Sequence, residues 1–184
     1  DCIIPLNALW EQYRRIIKNN GVIVLTSQGV FTGKLIVSNP EWFRYKLVWI
    51  NSKCPNFLFV NIQPLRKHED LCVFYKHKPK YYPQFTTGKP YDRGIRKDQH
   101  SSNYSPYKPT HIKSAGFRYP TDVLSMEEYD DDFIYCKTAE KEGKVYHPTQ
   151  KPVELGRHFI RTYFLSLPYW RTGNLSVSRK MKEL

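Results

Sequence analysis

"GVIVLTSQGVFTGKLIVSNPEWFRYKLVWIN", residues 21–51, decides the fold. Its first eight residues form a short, continuous β-branched run of the kind found in a strand buried on both faces. "VFTGKLIVSN" then reads as a short helix, and "YKLVWIN" (45–51) as a second strand. On the amino side, "LNALWEQYRRIIK" (6–18) places Leu6, Leu9, Trp10, Tyr13, Ile16 and Ile17 at i, i+3, i+4, i+7 spacing. That spacing predicts an amphipathic helix, which Asn19-Asn20-Gly21 should stop because these residues tolerate positive φ. On the carboxyl side, "EDLCVFYKH" (69–77) reads as a third strand. Helix and strand alternate, which predicts an α/β layer with at least partly parallel strands.

The 184 residues suit one domain, with room for an inserted lobe. Hydrophobic residues at 40% and aromatics at 15% are enough for a core and argue against a disordered chain. No apolar run reaches the roughly 18 residues of a membrane span, and no signal segment opens the chain. The chain begins at Asp1, which suggests processing, trimming or a fragment. Cys2, Cys54, Cys72 and Cys136 are scattered, without C-x-x-C or zinc spacing. They read as reduced, mostly buried thiols of a cytoplasmic protein, with no metal site. A net charge of +12 and a pI near 9.5 favour a polyanion, nucleic acid before a membrane surface.

The charge is unevenly spread. Between Lys76 and Arg118 stand ten Lys or Arg against two acids, with seven Tyr or Phe interleaved. This reads as a loop-rich lobe inserted into the α/β core. It could be a solvated loop, but cations suit phosphates and aromatic faces suit exposed bases. "MEEYDDDF" (126–133) reads as a solvated acidic turn, and a helix resumes from Lys151 to Phe164. In it, Val153, Leu155, Phe159, Ile160 and Tyr163 should face the core.

Three constellations could carry chemistry. His147-Pro148-Thr149-Gln150-Lys151-Pro152 precedes the last helix. Pro152 suits the first helical position and Glu154 suits the dipole, so this could be only a helix start. A helix start needs one cap, however, and this one adds an imidazole, a hydroxyl, an amide and an ammonium. With the helix N-terminus, Lys151 would suit a carboxylate or phosphate. Ser27-Gln28 ends the first strand, where open α/β sheets bind ligands, although an ordinary turn would look the same. "PLRKHED" (64–70) offers Arg66, His68 and Glu69 at a strand entrance. His68, Glu69 and Asp70 cannot share one ion, because strand neighbours face opposite sides.

"WEQYRRIIKNNGVIVLTSQGVFTGKLIVSNPEWFRYKLVWINSK", "NIQPLRKHEDLCVFYKHKPKYYPQ" and "HPTQKPVEL" occur in that order. Together they resemble the phage and prophage type of β-class DNA amino-methyltransferases. Enzymes of that family move a methyl group from S-adenosylmethionine to adenine N6 or cytosine N4. The resemblance covers most of residues 1–163. It implies a partial Rossmann-like methyltransferase sheet over residues 1–78 and 137–164, with a target-recognition lobe over 79–136. It gives His147, Pro148, Thr149, Gln150, Lys151, Pro152, Ser27 and Gln28 to the cofactor pocket, although Thr26 stands where the family has glycine. Lys53, Arg66, His68, Arg93, Arg96, Lys97, Asn103 and Tyr104 would contact DNA. The implied partner is double-stranded DNA with a flipped target base, in a restriction-modification or phage setting. A homodimer stays open, and no membrane partner is implied.

The family's D-P-P-Y tetrapeptide, which hydrogen-bonds and stacks on the flipped base, has no counterpart in these residues. "NPEW" (39–42) and "LPYW" (167–170) are only partial look-alikes. The glycine-rich cofactor loop is missing too, since "FLSLPYWRTGNLSVSRKMKEL" holds a single glycine and residues 165–184 read as a divergent tail. The expectation is an incomplete or degenerate copy, most like an adenine-N6 enzyme. A non-catalytic DNA-binding remnant and an RNA-binding protein are the alternatives.

Overall fold

The computed structural model describes residues 4–51, 54–95, 110–125, 134–135, 139, 143–147 and 150–164. The acidic stretch at 126–133 and the tail at 165–184 lie outside them. Helix α1 spans Leu6–Ile16, strand β1 Ile23–Ser27, helix α2 Val30–Ser38 and strand β2 Phe43–Ile50. A 3-10 turn at Phe57–Phe59 leads toward β3, His68–Phe74. Short strands follow: β4 Thr86–Thr87, β5 Tyr91–Ile95, β6 His111–Ser114, β7 Phe117–Arg118, β8 Val123–Ser125 and β9 Ile134–Tyr135. Helix α3 is Val153–Tyr163.

The main sheet has the order β1-β3-β2-β8-β9. β3 lies between β1 and β2 and is antiparallel to both, while β2, β8 and β9 pair in parallel. β1 and β2 therefore run the same way without touching. This corrects one expectation. Continuous burial belongs to the inserted strand β3, whose Asp70 to Phe74 are all buried, and β1 is an edge strand. Thr26 in β1 is exposed, and Val24 and Leu25 are half-buried.

Each face of the sheet has its own core. α1 and α2 cover one, where Trp10, Leu35 and Trp42 pack with Ile23, Cys72 and Phe74. Trp10 is 2% exposed, lies 4.8 Å from the Phe74 ring centroid, and donates its indole N–H to Ser38 Oγ at 2.7 Å. That bond satisfies the one polar atom of a buried indole. α3 covers the other face, setting Leu155 and Phe159 against Trp49, Leu71 and Leu124.

Helix ends and faces differ from the sequence reading in small ways. Ile16 is exposed, because the buried stripe of α1 runs through Leu6, Trp10, Tyr13 and Ile17. α1 ends with Ile17 in an extended conformation, and Gly21 is not at positive φ. Gly21 serves close packing instead, since a Cβ there would lie 2.6 Å from Ile17 Cγ1. In α3 the buried positions are Leu155, Thr162 and Tyr163, whereas Val153 and Ile160 face out. Pro152 caps that helix from an extended conformation, one residue before the first helical position.

Within the 79–136 span read as a lobe, two antiparallel pairs form, β4 with β7 and β5 with β6. β8 and β9, inside the same span, belong to the main sheet. No helix among the described residues is long and apolar enough to cross a membrane.

Candidate functional site

Three stretches far apart in sequence meet at one end of the sheet. β1 and β2 run toward it and β3 starts from it, with Ser27 opposite Asp70 and Ile50 opposite His68. Gly29 turns the chain out of β1 into α2 at φ 56°, a conformation that side-chain-bearing residues rarely adopt. Gln28, just before it, donates its side-chain amide to the His68 carbonyl at 3.0 Å. The strand end and the strand entrance are thereby tied together.

On the α2 side, a buried polar cluster fixes this junction. Thr32 Oγ1 donates to Asp70 Oδ2 at 2.8 Å and sits 3.0 Å from Ser27 Oγ, which is 3.4 Å from Cys72 Sγ. Lys46 Nζ lies 2.8 Å from Asp70 Oδ1, an ion pair rather than an aligned hydrogen bond. Burial pushes the Asp70 carboxyl upward, but the Lys46 ammonium and the Thr32 hydroxyl outweigh it and leave the group below its ordinary value. Burial holds the Cys72 thiol above its own.

On the α3 side, the polar hexapeptide arrives. Gln150 N–H donates to the His147 carbonyl at 3.0 Å, and Gln150 Oε1 accepts from Tyr146 N–H at 3.0 Å. Gln150 thus braces the turn from within. Lys151 Nζ pairs with Glu69 Oε2 at 2.5 Å and lies 5.3 Å from the Trp49 ring centroid. Asn51 Nδ2 holds the other Glu69 oxygen at 3.3 Å. Pro152 is buried and His147 exposed, whereas Pro148 and Thr149 lie outside the described residues. The resulting surface sets an ammonium beside a helix N-terminus, with a carboxylate and an indole next to it. It can hold an anionic group and a cationic group side by side.

Of the expected DNA contacts, Arg66 and His68 are exposed on the rim of this site. Arg93 lies on β5, its guanidinium 4.9 Å from the Tyr91 ring centroid. Lys53, Arg96, Lys97, Asn103 and Tyr104 lie outside the described residues. Some of the lobe's basic and aromatic groups serve the lobe itself. Arg118 lies 4.6 Å from the same Tyr91 ring centroid and donates to Ser114 Oγ at 2.7 Å and Lys89 O at 2.6 Å. His111 pairs with Asp92 at 2.6 Å. The Asp92 carboxyl is held below its ordinary value first by the Gly94 backbone N–H and then by His111.

Sequence reasoning overlooked Thr32, Lys46, Trp49, Asn51 and Asp70. One signal was available: if Glu69 faces one side, Asp70 faces the other, and a carboxylate inside a buried strand needs a cation or donors. Among the described residues, no group of three His, Cys, Asp or Glu could hold a metal.

An open mixed sheet covered by helices on both faces, with a polar cluster at the ends of β1 and β2, makes this an α/β protein. The chain matches the family model described as DNA methylase over residues 5–166, and it belongs to that family, whose methyl donor is S-adenosylmethionine. Among solved structures it is similar to the crystal structure of the M1.HpyAVI–SAM complex, at 13% identity and a TM-score of 0.45. The likeness covers 86% of this chain, which spans 63% of that one. No curated protein matches the chain.

Proposed function

We propose that the chain carries the cofactor- and DNA-binding part of a site-specific DNA methyltransferase acting on an exocyclic base amine, adenine N6 rather than cytosine N4. The setting would be a restriction-modification or phage system working on cytoplasmic DNA. One observation carries the cofactor-binding part of this reading, and the choice of adenine rests on the sequence resemblance. Lys151 of the hexapeptide, Glu69 of the strand entrance and Gln28 of the first strand end converge on one edge of the sheet.

The residues present fit S-adenosylmethionine. Lys151 and the amino end of α3 suit its carboxylate, and Glu69 with Trp49 suits its cationic part. When bound, the cofactor supplies an electrophilic methyl group. The chain's own residues would orient it: Gln150 holds the turn, and the buried Asp70–Thr32–Ser27 cluster holds the strand end. Arg66 and His68 on the rim, and the basic lobe beyond, would meet the duplex and its flipped base.

None of the 184 residues fills the D-P-P-Y role, so this polypeptide would hold cofactor and DNA without turnover. Labelled S-adenosylmethionine with unmethylated duplex DNA should give salt-sensitive DNA binding and no label transfer. Absence of DNA binding would contradict the reading. Clear transfer would contradict the assignment of chemistry to D-P-P-Y.

A further inference from the structure

The connection from β2 to β3 leaves the same end of the sheet and carries an unusual load. Phe57, Leu58, Val60 and Ile62 are 65%, 78%, 59% and 79% exposed, and Phe59 and Leu65 are exposed as well. Such a run is costly to leave in water, and an apolar surface kept exposed marks a contact site. Its backbone is firmly held. The buried Asn56 side chain accepts from Arg66 N–H at 2.8 Å and donates to the Pro64 carbonyl at 3.4 Å, closing the loop at its base. Backbone bonds Phe59 N to Asn56 O, Ile62 N to Phe59 O and Gln63 N to Phe59 O shape the tip. The apolar side chains are therefore presented outward on a preformed frame.

We propose that this loop is an apolar wedge that enters the base stack of duplex DNA next to the target base. The inference rests on the DNA methylase reading and adds a function for residues 54–67. Charge selects the occupant. Residues 51–68 hold Lys53, Arg66 and Lys67 and no carboxylate. Two copies meeting through this loop would bring six cations together, which disfavours a homodimer there. A polyanion with an apolar interior complements the loop, and duplex DNA is the one that the proposed function brings to the adjoining Arg66 and His68. Arg66 and Lys67 at the closing stem would meet phosphates while Phe57 and Leu58 press between bases, filling the gap that a flipped nucleotide leaves.

The test uses the full chain with a mixed-sequence duplex, intact or carrying one abasic site. The wild type should prefer the abasic duplex, whose gap is already open, by about tenfold, the equivalent of one base-stacking contact. Phe57→Ser/Leu58→Ser should lose that preference while the slope of log K against log salt stays unchanged. Arg66→Gln/Lys67→Gln should instead flatten the slope by about 2 and keep the preference. A Phe57→Trp variant, after subtraction of the wild-type emission, should be quenched by DNA. Three results would overturn the wedge: salt-sensitive DNA binding without abasic preference, a blue shift on anionic vesicles in place of DNA quenching, or a blue shift that grows with protein concentration alone. If the wild type does not bind DNA at all, the methylase reading fails and the wedge fails with it.

Discussion

Lys151 is held by two groups at once, the Glu69 carboxylate and the Trp49 ring, and both come from the sheet. The sequence pointed to Lys151 as a pocket cation, and its sheet partners came only from the fold. Lys151→Met should keep much of the packing over Trp49 while removing the charge. It should weaken S-adenosylmethionine binding about tenfold, with little change in thermal midpoint because a surface ion pair contributes only ~1 kcal/mol or less. Paired dialysis and melting measurements would check this. His158 gives a second prediction. It lines a cavity of about 360 Å³ between β2 and α3, and burial, then Arg161, pushes its pKa down to about 4 from 6.5. Between those values the unfolded chain binds more protons, so stability is complete above pH 6.5 and is lost as pH falls toward 4. His158→Gln should remove that dependence, which would amount to roughly 2 kcal/mol between pH 7.5 and 4.5 in denaturant titrations. An equal pH dependence in the variant would contradict it.

At the scale of elements, α1 was legible from its apolar spacing, and β1, α2, β2 and β3 as short apolar runs bounded by polar or turn residues. Pairing was not legible. Nothing local in β1 or β3 says that β3 inserts between β1 and β2, because that order is set by which strand is apolar on both sides once α1, α2 and α3 are docked. The small strands of the lobe escaped for a different reason. Two- to five-residue strands such as Thr86–Thr87 and Tyr91–Ile95 have too little alternation to stand out, and contacts like Arg118 over Tyr91 are non-local. Trp10 tests the packing account. It joins α1 to β3 and to α2 through Phe74 and Ser38. Trp10→Ala should cost about 3–5 kcal/mol and unfold both helices together. A loss below about 1 kcal/mol would mean that α1 is not part of the cooperative core.

At the scale of the whole molecule, the +12 charge and the site at the strand ends make separate demands. DNA binding should fall steeply with salt, and neutralising Arg93, Arg96 and Lys97 together should reduce the slope by about 3 and abolish binding at physiological salt. Undiminished binding would move the DNA surface off the lobe. The order of the motifs along the chain was legible. Their meeting at one edge was not, because 41 positions separate Gln28 from Glu69 and 82 separate Glu69 from Lys151. Equilibrium dialysis of labelled S-adenosylmethionine against wild type, Gln28→Ala, Glu69→Gln and Lys151→Met tests most directly whether that meeting forms the cofactor pocket. Saturable binding by the wild type, weakened in all three variants, is the expected result. No saturable binding, or binding indifferent to all three changes, would contradict it.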